Sequence, residues 1–289
     1  MKDDLKEAKT VADAESRSYS APALEKGLDI LETLCRSDKP LSQKDLAQRL
    51  GRSVGEIYRM VTCLVNRNYV TLVDEASYGI TTKLFELAHV NPPTHRLVFE
   101  ATPIMQRMAS ELDQSCHLTV YGQGKQVVLC KVDTPSGMGF AVRAGAEIDV
   151  IISASGRVLL AFQDEETRKL RIEESLQRRP EQDDPQIDSI LDKIRVAGFE
   201  SIPSVQVRGL WAVSFPILDT QGRAIAALTV PYAERIDQMQ RRSIPEVTAA
   251  LRVAARTLTA RVGGMVSPEG LNATEKESVL MRSMRPNGR

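Results

Sequence analysis

Apolar residues recur at helical spacing through the first part of the chain. Leu24, Leu28, Leu31 and Leu34 stand 4, 3 and 3 residues apart, which predicts one apolar stripe on a first helix that ends before Lys39-Pro40. Ser42 precedes Asp45 by three residues, and Leu46, Ala47 and Leu50 follow at helical spacing, as in a capped second helix. Gly51 supplies the stop, because the residue just past a helix end often takes positive φ. Ser53 and Glu56 repeat the S-x-x-E capping pattern and open a third helix, whose inward stripe is Ile57, Met60, Val61, Leu64 and Val65. That leaves Arg52, Val54, Gly55, Tyr58, Arg59 and Thr62 on or near its outer face. The pattern then turns β-prone: Tyr69 to Val73 and Tyr78 to Thr81 flank a turn at Asp74 to Ser77. Two helices joined by a tight turn, with a β-hairpin behind the second, describe a winged helix-turn-helix domain over residues 21–83.

Beyond it the periodicity changes. A short helix is expected from Lys83, followed by a Pro92-Pro93 break, so that residues 84–95 form a linker helix between domains. Leu97, Ala101, Ile104, Met105, Met108 and Leu112 mark a long amphipathic helix bent at Pro103. Strands are expected at 116–122, 126–132 and 138–143, then two or three helices over 153–197. A hairpin runs from Trp211 to Leu218 and from Arg223 to Val230 around Asp219-Thr-Gln-Gly222. A last helix carries Ile244, Val247, Leu251, Ala254 and Leu258. Helices packed on an antiparallel sheet make residues 96–262 an α+β domain. Residues 1–20 read as a flexible arm and 263–289 as a disordered tail, being polar, mixed in charge and without a stripe.

The 289 residues allow about two domains, and 42% hydrophobic with 26% charged residues is a globular composition. No run approaches the ~18–20 apolar residues of a membrane span, so a cytoplasmic protein with no membrane partner is expected. Cys35, Cys63, Cys116 and Cys130 lack C-x-x-C spacing and sit inside apolar patterns, which suggests buried reduced thiols and no metal site. With 38 Lys+Arg against 38 Asp+Glu the net charge is zero, which at first weighs against nucleic acid. The balance is not local, however. Residues 39–69 hold six cations (Lys39, Lys44, Arg49, Arg52, Arg59, Arg67) against two anions (Asp45, Glu56), a surplus of four on the helix-turn-helix.

A helix fits the major groove of DNA, cations neutralise phosphate, and side chains near the helix start reach base edges. The DNA-contact candidates are Ser42, Gln43, Arg52, Ser53, Gly55, Tyr58, Arg59 and Tyr78. Several keep a second reading. Ser42 and Ser53 are caps as well as phosphate donors, Arg59 is a phosphate or guanine contact or a solvated charge, and Glu56 either accepts from cytosine or closes its capping box. Gly51-Arg-Ser-Val-Gly55 also spells G-x-S-x-G, the nucleophile elbow of α/β-hydrolases, but that chemistry needs a strand before the serine. The preceding segment reads as a helix, and His89, His95 and His117 lie in no supporting motif. No catalytic residue, cofactor or enzymatic activity is expected, with an esterase at Ser53 as the remote alternative.

The run from Ala23-Leu-Glu-Lys-Gly-Leu-Asp-Ile-Leu31 through Leu41-Ser-Gln-Lys-Asp-Leu-Ala47, Gly51, Ile57-Tyr-Arg59, Leu64, Tyr69-Val70, Tyr78-Gly-Ile80 and Leu84 resembles the IclR (isocitrate lyase regulator) family of bacterial transcription factors. The resemblance continues to residue 262. It implies a GAF-like effector-binding and oligomerisation domain, a palindromic operator in double-stranded DNA, a homodimer or homotetramer, and a small carboxylate effector controlling a catabolic operon. The helix near Leu84 to His89 is the expected lever between effector and DNA. Ile151 to Arg157, Gly209 to Ala212 and Ala227 to Pro231 resemble the pocket segments of that family, and position by position they nominate Ala154, Ser155, Ala212 and Thr229. A helix start beside small hydroxyl residues suits a carboxylate, although small residues there also serve close packing.

Around the pocket segments this chain departs from the family at three places. It has Ile151 where a histidine is frequent, Ile202 near an acidic position, and Pro231 near a polar one. Those departures imply a more apolar pocket for a larger, aromatic organic acid, with Trp211 either on its wall or in the core. In the recognition helix, Val54, Gly55 and Glu56 replace the usual Ser, Thr or basic opening and alter which bases are read. The competing expectation is a constitutive DNA-binding module whose C-terminal domain only oligomerises.

Overall fold

The structure, a computed structural model, describes residues 21–90, 92–136, 139–234 and 242–265. The predicted arm at 1–20 and the tail beyond residue 265 lie outside the described residues. The chain divides into two compact units, the first ending at Asn91 and the second starting at Pro92.

The first unit holds α1 (Pro22–Cys35), β1 (Leu41–Ser42), α2 (Gln43–Arg49), α3 (Val54–Asn66), β2 (Val70–Leu72), β3 (Ser77–Ile80) and α4 (Lys83–Val90). Both predicted capping boxes form. Ser42 Oγ accepts from the Asp45 amide and Ser53 Oγ from the Glu56 amide, while each acid accepts from the serine's own N–H. Between them Gly51 takes φ +61°, and the amides of Gly51 and Arg52 return to the carbonyls of Gln48 and Ala47 at 3.3 and 2.9 Å. This closes α2 in a Schellman turn and sets the entry direction of α3. The core is Ile30, Leu34, Leu41, Leu46, Ala47, Ile57, Val61 and Val70.

The stripe on α1 is phased differently from expectation. Ile30 and Leu34 are buried, whereas Leu24 and Leu28 are 63% and 49% exposed. A 3.6-residue period tolerates either phase on an all-leucine face, and the β-branched Ile30, one turn before Leu34, takes the inward position. The wing gains a strand that patterning missed, because β1 is only two residues long: Leu41 pairs with Tyr78, giving the order β1-β3-β2.

The second unit contains α5 (Pro92–Leu112), β4 (Cys116–Gly122), β5 (Lys125–Val132), β6 (Glu147–Ile148), α6 (Ala154–Ala161), α7 (Glu165–Arg178), a 3₁₀ turn (Pro180–Gln182), α8 (Ile187–Ala197), β7 (Glu200–Pro203), β8 (Leu210–Leu218), β9 (Ala224–Ala233) and α9 (Ile244–Arg261). The predicted linker at 84–95 thus spans most of α4 and the first turn of α5. Pro92-Pro93 open that helix instead of breaking it, since proline lacks only an N–H that a first turn leaves unpaired. Six antiparallel strands follow the order β6-β5-β4-β9-β8-β7. One face, through Leu118, Val213, Phe215, Ile217, Leu228 and Val230, packs with residues of α5 and α9 such as Met105 and Leu251. The other face carries α6 and α8, with Leu159, Leu160 and Leu191 fully buried.

Three further expectations are corrected. The strand at 138–143 is not formed at 139–143: Gly145 takes φ +78° and closes onto Val128, so only Glu147 and Ile148 reach the ladder. The short edge strand β7, ending at Pro203, was not anticipated. Cys35 and Cys63 are exposed; only Cys116 is fully buried. Among the described residues no helix is long and apolar enough to cross a membrane. Leu46 is fully buried in the smaller core, so Leu46→Ala should cost the first unit about 2–5 kcal/mol, measured by urea denaturation of the full chain.

Candidate functional site

The predicted DNA-contact residues gather around the start of α3 and the wing. Tyr58 and Arg59 are exposed on α3, and Arg59 makes no ion pair within the described residues. Gly55 is exposed, and a β-carbon added to it would meet nothing within 4 Å. No internal packing therefore requires a glycine there, and glycine is a weaker helix former than alanine. Gln43, the first residue of α2, donates to the Tyr78 hydroxyl at 3.0 Å, so two of the candidates are joined across the wing. Arg52 donates to Asp29 of α1 at 3.2 Å and is half-buried. Its guanidinium anchors the helix-turn-helix to α1, a tie that the outer-face assignment did not foresee.

Glu56 resolves into its structural role. Its carboxylate accepts from the Ser53 amide and hydroxyl, each at 2.9 Å, and lies 3.4 Å from Lys26. Those bonds, the Ser53 amide first, pull its pKa down to about 2. The same geometry corrects the hydrolase alternative. Ser53 caps a helix and follows the α2 turn, so that a helix and not a strand directly precedes it.

In the second unit a cavity of about 220 Å³ opens between the start of α6 and the sheet. All five predicted effector residues, Ala154, Ser155, Trp211, Ala212 and Thr229, line it. Ala154 and Ser155 occupy the first two positions of α6, where the N–H groups have no intrahelical partner. Ser153 caps the same turn: its hydroxyl accepts from Gly156 N at 3.1 Å and from Gln126 at 2.7 Å, and donates to the Asp149 carbonyl at 2.6 Å. Packing accounts for the neighbouring glycine, where a β-carbon would meet the Val150 carbonyl oxygen at 2.1 Å. Close packing thus accounts for Gly156, while Ala154 and Ser155 line the cavity.

Apolar side chains dominate the remaining wall, including Phe140, Val142, Ile148, Ile152 and Leu210. Of the three departure positions, Ile202 and Pro231 line the cavity, but Ile151 is buried in the core beneath α6. Trp211 borders the cavity and also packs against the α5/α9 core, with its indole N–H donating to Ser201 Oγ at 2.8 Å. Ladder register aligns His117 with Thr229, and Thr229 with Ser214, whose hydroxyls bond each other at 2.9 Å. His117 lines the cavity and was missed by sequence reasoning, since a lone histidine has no motif around it. The available signal was the alternation Cys116-His-Leu-Thr-Val120, which places His117 and Thr119 together on one face. Burial pushes the imidazole pKa down to about 4, so the ring is neutral at pH 7.

A winged helix-turn-helix with exposed cationic side chains, in one chain with an α+β domain that holds an apolar cavity, is the architecture of a DNA-binding transcription regulator. Residues 23–74 match the IclR helix-turn-helix domain and residues 93–260 match the C-terminal domain of the bacterial transcriptional regulator IclR. The chain belongs to the IclR family. It is 26% identical over 257 residues to the HTH-type transcriptional regulator KdgR of Escherichia coli, covering 87% of this chain and 97% of that one. Among solved structures, an IclR homologue from Microbacterium hydrocarbonoxydans complexed with 4-hydroxybenzoate superposes with a TM-score of 0.68 at 19% identity, covering 83% of this chain and 98% of that one. The Thermotoga maritima IclR gives 0.63 at 21% identity, covering 83% of this chain and 98% of that one.

The Glu56 cap yields a pH signature. Its folded pKa lies below the ordinary carboxylate value of 4.5, so its charge stabilises the fold fully above that value and progressively less toward about 2. Denaturation of the full chain should show wild type more stable than Glu56→Gln at pH 7, with the gap closing between those two pH values. A gap independent of pH would contradict this role.

Proposed function

We propose that this chain regulates a bacterial catabolic operon from the cytoplasm, reading a palindromic operator as a homodimer or homotetramer, with an organic acid in the C-terminal cavity altering its DNA affinity. The observation that carries the reading is the cavity itself: five residues chosen from sequence converge on one apolar chamber with a helix start at its edge. Backbone N–H groups and the helix dipole at Ala154 and Ser155 suit a carboxylate, and the apolar wall suits an aromatic body. Ser42, Gln43, Ser53, Gly55, Tyr58, Arg59 and Tyr78 are assigned to DNA, and Arg52 to holding the turn that presents them. Exposed Leu24 and Leu28, one turn apart on α1, support self-association. The solved neighbour that holds 4-hydroxybenzoate makes that acid the first probe.

Two measurements test the reading. With a fluorescent duplex from upstream of the chain's own gene, affinity should fall about a thousandfold between 50 and 200 mM salt for ~6 phosphate contacts. Arg59→Ala should cost about 1–3 kcal/mol. A flat salt profile with an unchanged Arg59 variant would reject the DNA assignment. In the same assay, saturation with an aromatic acid should shift operator affinity, and Ala212→Leu, which fills the cavity, should abolish the shift. Constant affinity across a panel of such acids would leave a constitutive DNA-binding protein.

A further inference from the structure

The polar side chains that line the cavity include Glu147, Ser204, Gln206 and Thr229, and a buried imidazole, that of His117, which the carboxylate reading does not use. His117 sits at the middle of the sheet on β4, is 4% exposed, and borders the chamber that Ala154 and Ser155 enter from the helix side. Its ladder neighbour Thr229 is committed to Ser214. Nδ1 of His117 is buried and has no hydrogen-bond partner. Leaving such a nitrogen unmade costs about 1–3 kcal/mol, and a phenylalanine or leucine would fill the position without that penalty. A neutral imidazole differs from the helix start in what it offers. Amide N–H groups at a helix terminus only donate and favour negative charge, whereas a given nitrogen of a neutral imidazole donates in one tautomer and accepts in the other, and so suits a partner that can take either role. A hydroxyl is such a partner.

We propose that His117 is a specificity-determining residue of the cavity that hydrogen-bonds an uncharged hydroxyl of the ligand, so that hydroxylated organic acids are selected over otherwise identical acids lacking the hydroxyl. This rests on the organic-acid reading of the cavity. The two polar poles divide the work: the start of α6 takes the carboxylate, His117 takes the hydroxyl, and the apolar wall takes the carbon skeleton. A site built to bond a hydroxyl rejects the analogue without it, because the site's own polar group is then left unpaired.

Isothermal titration of the full chain with matched pairs tests this, using 4-hydroxybenzoate against benzoate, 3-hydroxybenzoate against benzoate, and 3-(4-hydroxyphenyl)propionate against 3-phenylpropionate. In wild type at least one hydroxylated acid should bind about tenfold or more tightly than its partner, the equivalent of ~1.4 kcal/mol. In His117→Phe, which keeps a flat ring without nitrogens, the ratio should fall to about one while the acid lacking the hydroxyl still binds. His117→Leu replaces it should the phenylalanine variant fail to fold. Acids that bind wild type with no hydroxyl preference, or a preference that survives in the variant, overturn the assignment of His117 and leave the organic-acid reading standing. Binding of no member of any pair removes the organic-acid reading and this inference with it.

Discussion

The contact on which the second unit depends is the approach of the first turn of α6 to the chain just before it. The place that a side chain would occupy at Gly156 is filled by the Val150 carbonyl, so any larger residue must push the helix start and the preceding segment apart. With glycine there, the turn is held from three sides. Ser153 caps it, Gln126 donates to both the Ser153 hydroxyl and the Asp149 carbonyl, and Arg157 donates back to the Ile151 carbonyl at 2.9 Å. Behind that anchor Val158, Leu159, Leu160 and Ala161 are fully buried, and they carry the packing of α8 through Leu191 and Ile194. Ahead of it, Ala154 and Ser155 are delivered to the cavity. One close contact thus fixes both the core on this face of the sheet and the position of the helix start.

The two faces of that sheet are not chemically equivalent. The face toward α5 and α9 is apolar along its length, while the opposite face places His117, Thr119, Ser214 and Thr229 where burial would ordinarily select hydrocarbons. Burying hydroxyls is tolerable when they bond each other or the backbone, and Ser214 with Thr229 meets that condition. A patch of this kind lowers the stability that an all-apolar sheet would reach. Two of its members, His117 and Thr229, line the cavity opposite the start of α6, and Ser214 is bonded to one of them.

In the first unit, charge placement follows from capping. Each cap spends an acid on backbone amides: Asp45 and Glu56 are tied to Ser42 and Ser53, and their carboxyls are held below the ordinary range by those hydrogen bonds. Acids committed in this way sit at helix starts, while Lys44, Arg49, Arg59 and Arg67 stand exposed. Of the cations behind the surplus of four over residues 39–69, all but Arg52 contribute to an outward-facing field, although the whole chain sums to zero. Arg52 is the exception, since its pairing with Asp29 turns one cation into a structural tie.

How much of this could be read from the chain depended on the range of the interaction involved. Capping boxes and the Gly51 turn are set by residues within a few positions of one another, and both were legible. The pocket segments were legible through family resemblance. What escaped was decided by partners distant in sequence. Whether Leu24 or Ile30 faces inward is settled by α3, and whether 138–143 extends a sheet is settled by Gly145 meeting Val128. Arg52 meets its partner only because α1 returns beside the α2 turn. His117 shows the limit most clearly. A histidine alternating with apolar residues marks one face of a strand, but which face meets the cavity depends on Thr229, more than a hundred positions away and directly across the ladder. Patterning could place His117 and Thr119 on one side of a strand. Only the pairing of β4 with β9 puts that side under the start of α6.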